Sequence, residues 1–315
     1  MKLVFLGTGS GAPSIKRNVS SVALIFSDES KVWLWDCGEA TQHQILRTSI
    51  KMSKIEKIFV SHLHGDHLFG LPGLLASRGL ACGKNQRNIQ IFGPEGLDSY
   101  LKDTLDISNT YIPYEIKITV IPTNTKSGVI YEDEECKVNY CEIIHSIKTY
   151  AFSLEEKKKE KHFLIEKARE YRIQPGPIYK SLKEGGTIQL PDGRVLHGKN
   201  FVINSQKRKK IIFGSDTTFS KNLVNFARDA DLLIHESTFS IKEKENALCN
   251  FHSTAGMAAE TAKNAKVKQL ILTHISSRYN LKNKNNRVSE KDLLTEAREI
   301  FPDTLLAEDF MIYHI

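Results

Sequence analysis

The stretch SHLHGDHLFGLPGLL, residues 61–75, sets His62, His64, Asp66 and His67 within six consecutive positions. Imidazoles crowded this closely repel one another once protonated, and burying them unpaired is unfavourable. Neither a helix nor a strand calls for such a cluster, but a divalent metal does. His62 and His64 alternate about Leu63, so in an extended segment they point to one side. Gly65 then turns the chain, and Asp66 and His67 reach a second position. Two histidines on one site and an aspartate–histidine pair on another suit two adjacent metals, and imidazole with some carboxylate is zinc-like ligation. A lone histidine is more often a satisfied structural residue. Three of the chain's 11 histidines in H-x-H-x-D-H order are not.

Each metal needs further ligands, and candidates follow other strand-like runs: His145 in CEIIHS, Asp216 in IIFGSDTT and His274 in LILTHIS. His252 opens HSTAGMAAETA at an apparent helix start. Taken singly, each has an ordinary structural explanation. Their shared position just past apolar β-like runs predicts that they converge.

The rest of the chain reads as two sheets packed together with helices outside, an α+β arrangement. KLVFLGT, SVALIFS, KVWLWDCG, KIFVSH and NIQIFGP are predicted strands, as are KKIIFGSD, ADLLIHES and QLILTH, and TLLAEDFMIYHI closes the chain as one more. EATQHQILR, PEGLDSYLKDTL, STAGMAAETAKNA and SEKDLLTEAREIF are predicted helices. From about Tyr150 to Phe201 the pattern breaks into a lysine-rich excursion with QPGP, EGG and PDG turn signals, predicted as a helix, a turn and a small hairpin. With 315 residues, 40% hydrophobic and 26% charged, the composition is that of an ordinary soluble globular protein. No apolar run approaches the roughly 20 residues that cross a bilayer. The five cysteines are scattered without a C-x-x-C pair, which predicts reduced thiols in the cytoplasm rather than a disulfide framework. A net charge of +7 favours a polyanionic partner without requiring one.

With these residues in place, the chain resembles the metallo-β-lactamase superfamily and, within it, the short-form ribonuclease Z family of tRNA 3′-processing endonucleases. LGTGSGAPSIKRNVSS at the start, DCGEATQ at 36–42, GLPGLL at 70–75, IHEST at 234–238, HSTAGMAA at 252–259 and THISSRY at 273–279 carry the narrower likeness. The resemblance implies an αβ/βα four-layer sandwich over residues 1–315, with the 150–201 excursion as an inserted flexible arm that binds tRNA. It implies two zinc ions per subunit, one held by His62, His64 and His145, the other by Asp66, His67 and His274, with Asp216 bridging. It implies precursor tRNA as substrate, a homodimer, and contacts to tRNA from Gly176 and Pro177 in the arm. The chain departs from the family's P-x-K-x-R-N loop, having Ile15 in the lysine position of PSIKRN, and has HEST for the commoner HEAT.

Beyond the ligands, His252 is the candidate proton donor to the departing oxygen, tuned by Glu236, and Asp66 belongs to the catalytic set. Arg278 is a candidate fork onto a phosphate oxygen. Thr8 and Ser21 are candidate further donors, and Asp36 is expected to orient the ligands rather than bind metal. Two rivals are weighed. A thioesterase or lactonase of the same superfamily would share the metal motif. An RNA-binding protein with structural zinc would be expected to show a closed, mononuclear, often cysteine-rich site instead.

Overall fold

The computed structural model describes residues 1–82, 87–157, 161–190, 192–204, 208–279 and 288–315. These fall into two compact units. The larger comprises residues 1–131, 138–154 and 210–315, and the smaller residues 132–137 and 155–209.

The larger unit is built on two sheets of seven strands, three of which have end residues (132, 136–137 and 155–156) in the smaller unit. The first uses Lys2–Gly7 (β1), Ser21–Ile25 (β2), Val32–Trp35 (β3), Ile55–Phe59 (β4), Ile89–Gly93 (β5) and Ile116–Val120 (β6). The second uses Ser127–Glu132 (β7), Cys136–Ile143 (β8), Thr149–Glu156 (β9), Lys210–Phe213 (β10), Leu232–Glu236 (β11), Leu270–Thr273 (β12) and Thr304–Leu306 (β13). Ile312–His314 (β14) returns to the first sheet, giving the orders β14-β1-β2-β3-β4-β5-β6 and β13-β12-β11-β10-β9-β8-β7. In the first sheet β14, β1, β2 and β3 pair antiparallel, and β3 to β6 run parallel. In the second, β10 to β13 are parallel.

Aromatic rings fill the space between the sheets. Trp35 stacks on Phe213 with centroids 3.8 Å apart, and Phe59 lies 5.6 Å from Phe152. On the far side of the first sheet, Ile45, Leu68, Leu71, Leu74, Leu75, Leu97 and Leu101 join helices to Val4, Leu34, Ile58 and Ile91. On the far side of the second, the alanine-rich helix Ala255–Ala265 lays Ala255, Ala258, Ala259 and Ala262 against Leu233, Leu270 and Leu272. Small side chains let that helix approach the strands closely, which explains why this element is rich in alanine rather than leucine. The result is helix, sheet, sheet, helix: four layers, as anticipated.

One predicted element divides. TLLAEDFMIYHI is two strands in different sheets rather than one. The break has a local cause. Phe310 adopts a left-handed backbone (φ 69°), and Asp309 is pinned by Thr8 Oγ1 at 2.7 Å, the Asn18 amide at 2.7 Å and Gln44 Nε2 at 2.9 Å.

The smaller unit has a core of its own, formed by Ala168, Ile173, Leu182, Leu196 and Phe201. It carries two short helices, Ile165–Glu170 and Pro177–Lys183, where the sequence predicts one. The predicted hairpin pairs Thr187–Gln189 with Val195–His197. A further antiparallel pair joins Lys161–Phe163 to Val202–Asn204 and brings the two ends of the excursion together.

Candidate metal centre

Parallel strands put their carboxyl ends on one edge, and the loops leaving that edge carry the candidate residues. His62 and His64 follow β4, His145 follows β8, Asp216 follows β10, Glu236 ends β11 and His274 follows β12. Register aligns these ends: Trp35 pairs with Phe59, and Glu236 with Thr273. Several non-glycine residues at this edge adopt the left-handed region, among them Asp36 (φ 59°), Ser215 (φ 50°) and His274 (φ 56°). Such backbone persists only where the surroundings enforce it.

The side chains converge into two groups whose ligand atoms lie within 4.8 Å of one another: His62, His64 and His145, and Asp66, His67, Asp216 and His274. Asp216 Oδ2 lies between them. It is 3.3 Å from His67 Nε2 and 3.4 Å from His274 Nε2, and 3.8 Å from His62 Nε2 and 4.0 Å from His145 Nε2. Asp66 Oδ2 is 3.2 Å from His274 Nε2 and accepts the Gly11 amide at 2.8 Å.

The donor set fits metal. His62 Nε2 and His145 Nε2 face His64 Nδ1 at 3.1 and 3.2 Å, and His67 Nε2 faces His274 Nε2 at 3.3 Å. The outward nitrogens have partners of their own: His62 Nδ1 with Ser61 Oγ at 2.9 Å, His67 Nδ1 with Asp36 Oδ2 at 2.7 Å, His145 Nδ1 with the Phe251 carbonyl at 2.9 Å, and His274 Nδ1 with Thr238 Oγ1 at 2.9 Å. Carbonyl and carboxylate partners fix the proton on the outer nitrogen and turn the inner lone pair toward the centre, which is the orientation metal ligands require. Burial, above all, holds His62, His64 and His145 below the ordinary histidine value, so they are neutral. Burial disfavours charge on Asp216 too, but His274 and His67 outweigh it and hold the carboxyl well below the usual range. Asp216 Oδ1 is buried without a hydrogen-bond partner. At His67 burial is likewise outweighed, by the carboxylates of Asp216 and Asp36, and the group is driven toward positive charge. Neutral inward lone pairs, an orphaned carboxylate oxygen and a demand for positive charge are together what a bound cation resolves.

The DCGEATQ segment braces this motif. Asp36 accepts from the Ser61 amide at 2.7 Å as well as holding His67. The Cys37 amide donates to the His67 carbonyl, and the Gly70 amide to that of Cys37, at 2.8 and 3.0 Å. The chains cross so tightly that a Cβ on Gly38 would stand 2.2 Å from the Asp66 carbonyl oxygen.

His252 lies close enough to both groups to be mistaken for a ligand. Its Nδ1, however, meets Glu236 Oε1 at 2.8 Å. Glu236 is buried and also receives the Thr217 amide at 2.9 Å and the Thr238 hydroxyl at 2.7 Å. Burial opposes charge on His252, but the Glu236 carboxylate more than offsets it and lifts the group to about 9. His252 is therefore protonated at neutral pH, with Nε2 available to donate.

Other candidates are placed differently. Arg278 Nη1 donates to Glu243 Oε1 at 2.6 Å, and its guanidinium lies over the Phe239 ring at 4.8 Å. Gly176 and Pro177 begin a helix of the smaller unit and are not part of the cluster. Thr8 and Ser21 are both buried with their hydroxyls already engaged, Thr8 donating to Asp309 and Ser21 to the Asp36 carbonyl, although Ser21 lines the cavity it shares with His67, Asp216 and His274. Three residues that orient the imidazoles escaped the sequence reading, Ser61 beside His62 being the first. Thr238, the last residue of HEST, supports both Glu236 and His274, and the Phe251 carbonyl orients His145. A hydroxyl in a known motif was a usable signal for Thr238; a backbone carbonyl leaves no mark in sequence.

Among known proteins, a family model described as "Anti-Pycsar protein Apyc1" matches residues 1–166, which contain five of the clustered residues but not Asp216 or His274. Proteins named ribonuclease Z match at full length: one from Synechococcus sp. (strain CC9605) is 46% identical over 99% of this chain and 97% of its own. Another from Nostoc sp. (strain PCC 7120 / SAG 25.82 / UTEX 2576) is 45% identical over 100% and 95%. In structure, human tRNase Z, short form, superposes with a TM-score of 0.71 at 28% identity, covering 100% of this chain and 99% of that one. The metallo-β-lactamase fold protein YhfI from Bacillus subtilis, at 17% identity and a TM-score of 0.65 over 99% and 98%, shares the fold. The chain thus belongs, through residues 1–166, to the family described as Anti-Pycsar protein Apyc1 and, over its whole length, to the ribonuclease Z family.

Proposed function

We propose that the protein is a metal-dependent endoribonuclease that removes 3′ trailers from precursor tRNA, leaving a 3′-hydroxyl on the tRNA and a 5′-phosphate on the trailer. The observation that carries this reading is the pairing of a two-group donor cluster with a buried Glu236–His252 couple, in a chain similar over its full length to proteins named ribonuclease Z. His62, His64 and His145 would hold one zinc, Asp66, His67 and His274 a second, and Asp216 would join them. Two bound zinc ions supply a nucleophilic water ionised near neutral pH and Lewis-acid stabilisation of the reacting phosphate.

The chain's own residues do the rest. Glu236 keeps His252 protonated, and Nε2 passes its proton to the 3′ oxygen as that oxygen departs, which avoids expelling an alkoxide. Asp36, Ser61, Thr238 and the Phe251 carbonyl hold the ligand imidazoles so that no reorientation accompanies each turnover. Arg278 would neutralise phosphate charge by exchanging its present partner, Glu243, for a phosphate oxygen.

The 150–201 arm, with Gly176 and Pro177, would grip the tRNA body, and two chains would assemble as a homodimer in the cytoplasm. Its lysines and arginines are suited to backbone contacts, and shape rather than base sequence governs recognition of duplex RNA. Among the described residues no helix is long and apolar enough to cross a membrane. The test is cleavage of a trailer-bearing tRNA with both new ends mapped: a cut next to the unpaired base that ends the tRNA body supports the reading. Turnover of a thioester or lactone without RNA cleavage would replace it.

A further inference from the structure

Two exposed phenylalanines stand in the segments that carry the donors. Phe69, 61% exposed, immediately follows the turn of helix Gly65–Leu68 that presents Asp66 and His67. Its ring lies over Gly65, where a Cβ would come within 2.2 Å of it, and is tilted 22° from that of Tyr100 at 6.5 Å. Phe251, 43% exposed, precedes His252, and its carbonyl holds His145. Its backbone is left-handed (φ 55°) just past the end of helix Lys244–Cys249, a position that glycine fills most readily. A bulky residue there is strained. Neither ring serves the core, yet each is anchored by the backbone that places the catalytic groups.

We infer that Phe69 and Phe251 are stacking platforms for the two unpaired bases that flank the scissile phosphate. This rests on the RNA-cleaving reading above. Stacking on aromatic faces is how proteins hold single-stranded RNA with little sequence preference, because every base has a π-face. A trailer of variable sequence demands that tolerance. The chemistry assigns the sides. His252 protonates the 3′ oxygen of the upstream nucleotide, so its neighbour Phe251 takes that nucleotide's base, the last of the tRNA body. Phe69, beside Asp66, takes the first base of the trailer. Each ring is carried on the segment that bears a candidate ligand or the proton donor, Phe69 with His67 and Phe251 with His252, which favours bases of an RNA held at the centre as the occupants.

The test uses the full-length, metal-loaded protein and a trailer-bearing tRNA with a non-hydrolysable phosphonate at the scissile position. The fluorescent base 2-aminopurine, quenched when stacked, replaces one flanking base at a time. Wild type is expected to quench both. Phe251→Ala and Phe251→Leu restore emission only at the upstream base, Phe69→Ala and Phe69→Leu only at the trailer base, and tyrosine at either position keeps the quench. On unmodified precursor at subsaturating concentration, each alanine variant loses about five- to a hundredfold in rate, the range that one base–aromatic stack supplies. Emission in the alanine variants equal to wild type overturns the inference, as does leucine quenching as well as phenylalanine. A change of sedimentation without a change of emission would make the rings a protein contact instead. If wild type cuts the unmodified precursor while the quench is insensitive to both rings, stacking fails alone; if wild type neither binds nor cuts it, the RNA reading falls as well.

Discussion

At the scale of single residues, the candidate centre is defined as much by what orients the donor side chains as by the donors. The H-x-H-x-D-H run and the isolated His145, Asp216 and His274 were legible because metal-type residues gathered past strand ends have few structural uses. Their supports were less legible, since a hydroxyl or carbonyl acts through tertiary position. Thr238→Val removes hydrogen bonds to Glu236 and His274 at little change of volume. It should lower metal affinity roughly ten- to a hundredfold, measured by competition with a chelator. The His252–Glu236 pair yields a pH prediction. In the metal-free protein His252 is raised from 6.5 to about 9; bound cations oppose that charge and Glu236 sustains it, so if His252 is the donor the single-turnover rate should fall along a basic limb as pH rises. The pair's contribution to stability has the same sign, complete below about 6.5 and lost through about 9. Glu236→Gln removes the carboxylate that offsets burial and should move the basic limb down by roughly one unit or more. His252→Ala should lower the rate by about 10²–10⁴-fold with metal content unchanged. An unmoved basic limb in Glu236→Gln would remove His252 from the role.

At the scale of elements, alternating apolar runs announced the two sheets because β-branched strands and amphipathic helices carry their periods locally. The C-terminal segment misled because both of its halves read as strand, and the break between them depends on Asp309 meeting Thr8, Asn18 and Gln44 from distant parts of the chain. The lysine-rich excursion shows no clear hydrophobic pattern in sequence because Ala168, Leu182 and Phe201 give it only a sparse core. The crossing of DCGEATQ over the metal motif is equally invisible until folded. It predicts that Gly38→Ala forces the two backbones apart, costing about 1–3 kcal/mol in denaturant unfolding and weakening metal binding with it. A fully stable variant with native metal affinity would show that the crossing is dispensable.

At the scale of the whole molecule, the edge that carries the candidate metal centre belongs to the larger unit, and the excursion folds around its own core. The paired strands Lys161–Phe163 and Val202–Asn204 permit a clean excision: residues 164–201 can be replaced by a two-residue Asn-Gly turn. If that region grips tRNA, the variant should show a higher KM for precursor tRNA and a shallower dependence of binding on salt, while metal content stays at the wild-type level. An unchanged KM would separate the excursion from substrate binding. The central claim, that the cluster is a metal centre that cuts RNA, is tested most directly by single-turnover cleavage of a precursor tRNA bearing a 3′ trailer. Wild type would be compared with Asp66→Ala, with both product ends mapped and metal content measured in the same preparations. The account predicts one cut beside the last base of the tRNA body, a 3′-hydroxyl and a 5′-phosphate, and loss of that cut in Asp66→Ala together with metal. An intact precursor after incubation with fully metal-loaded wild type would contradict it.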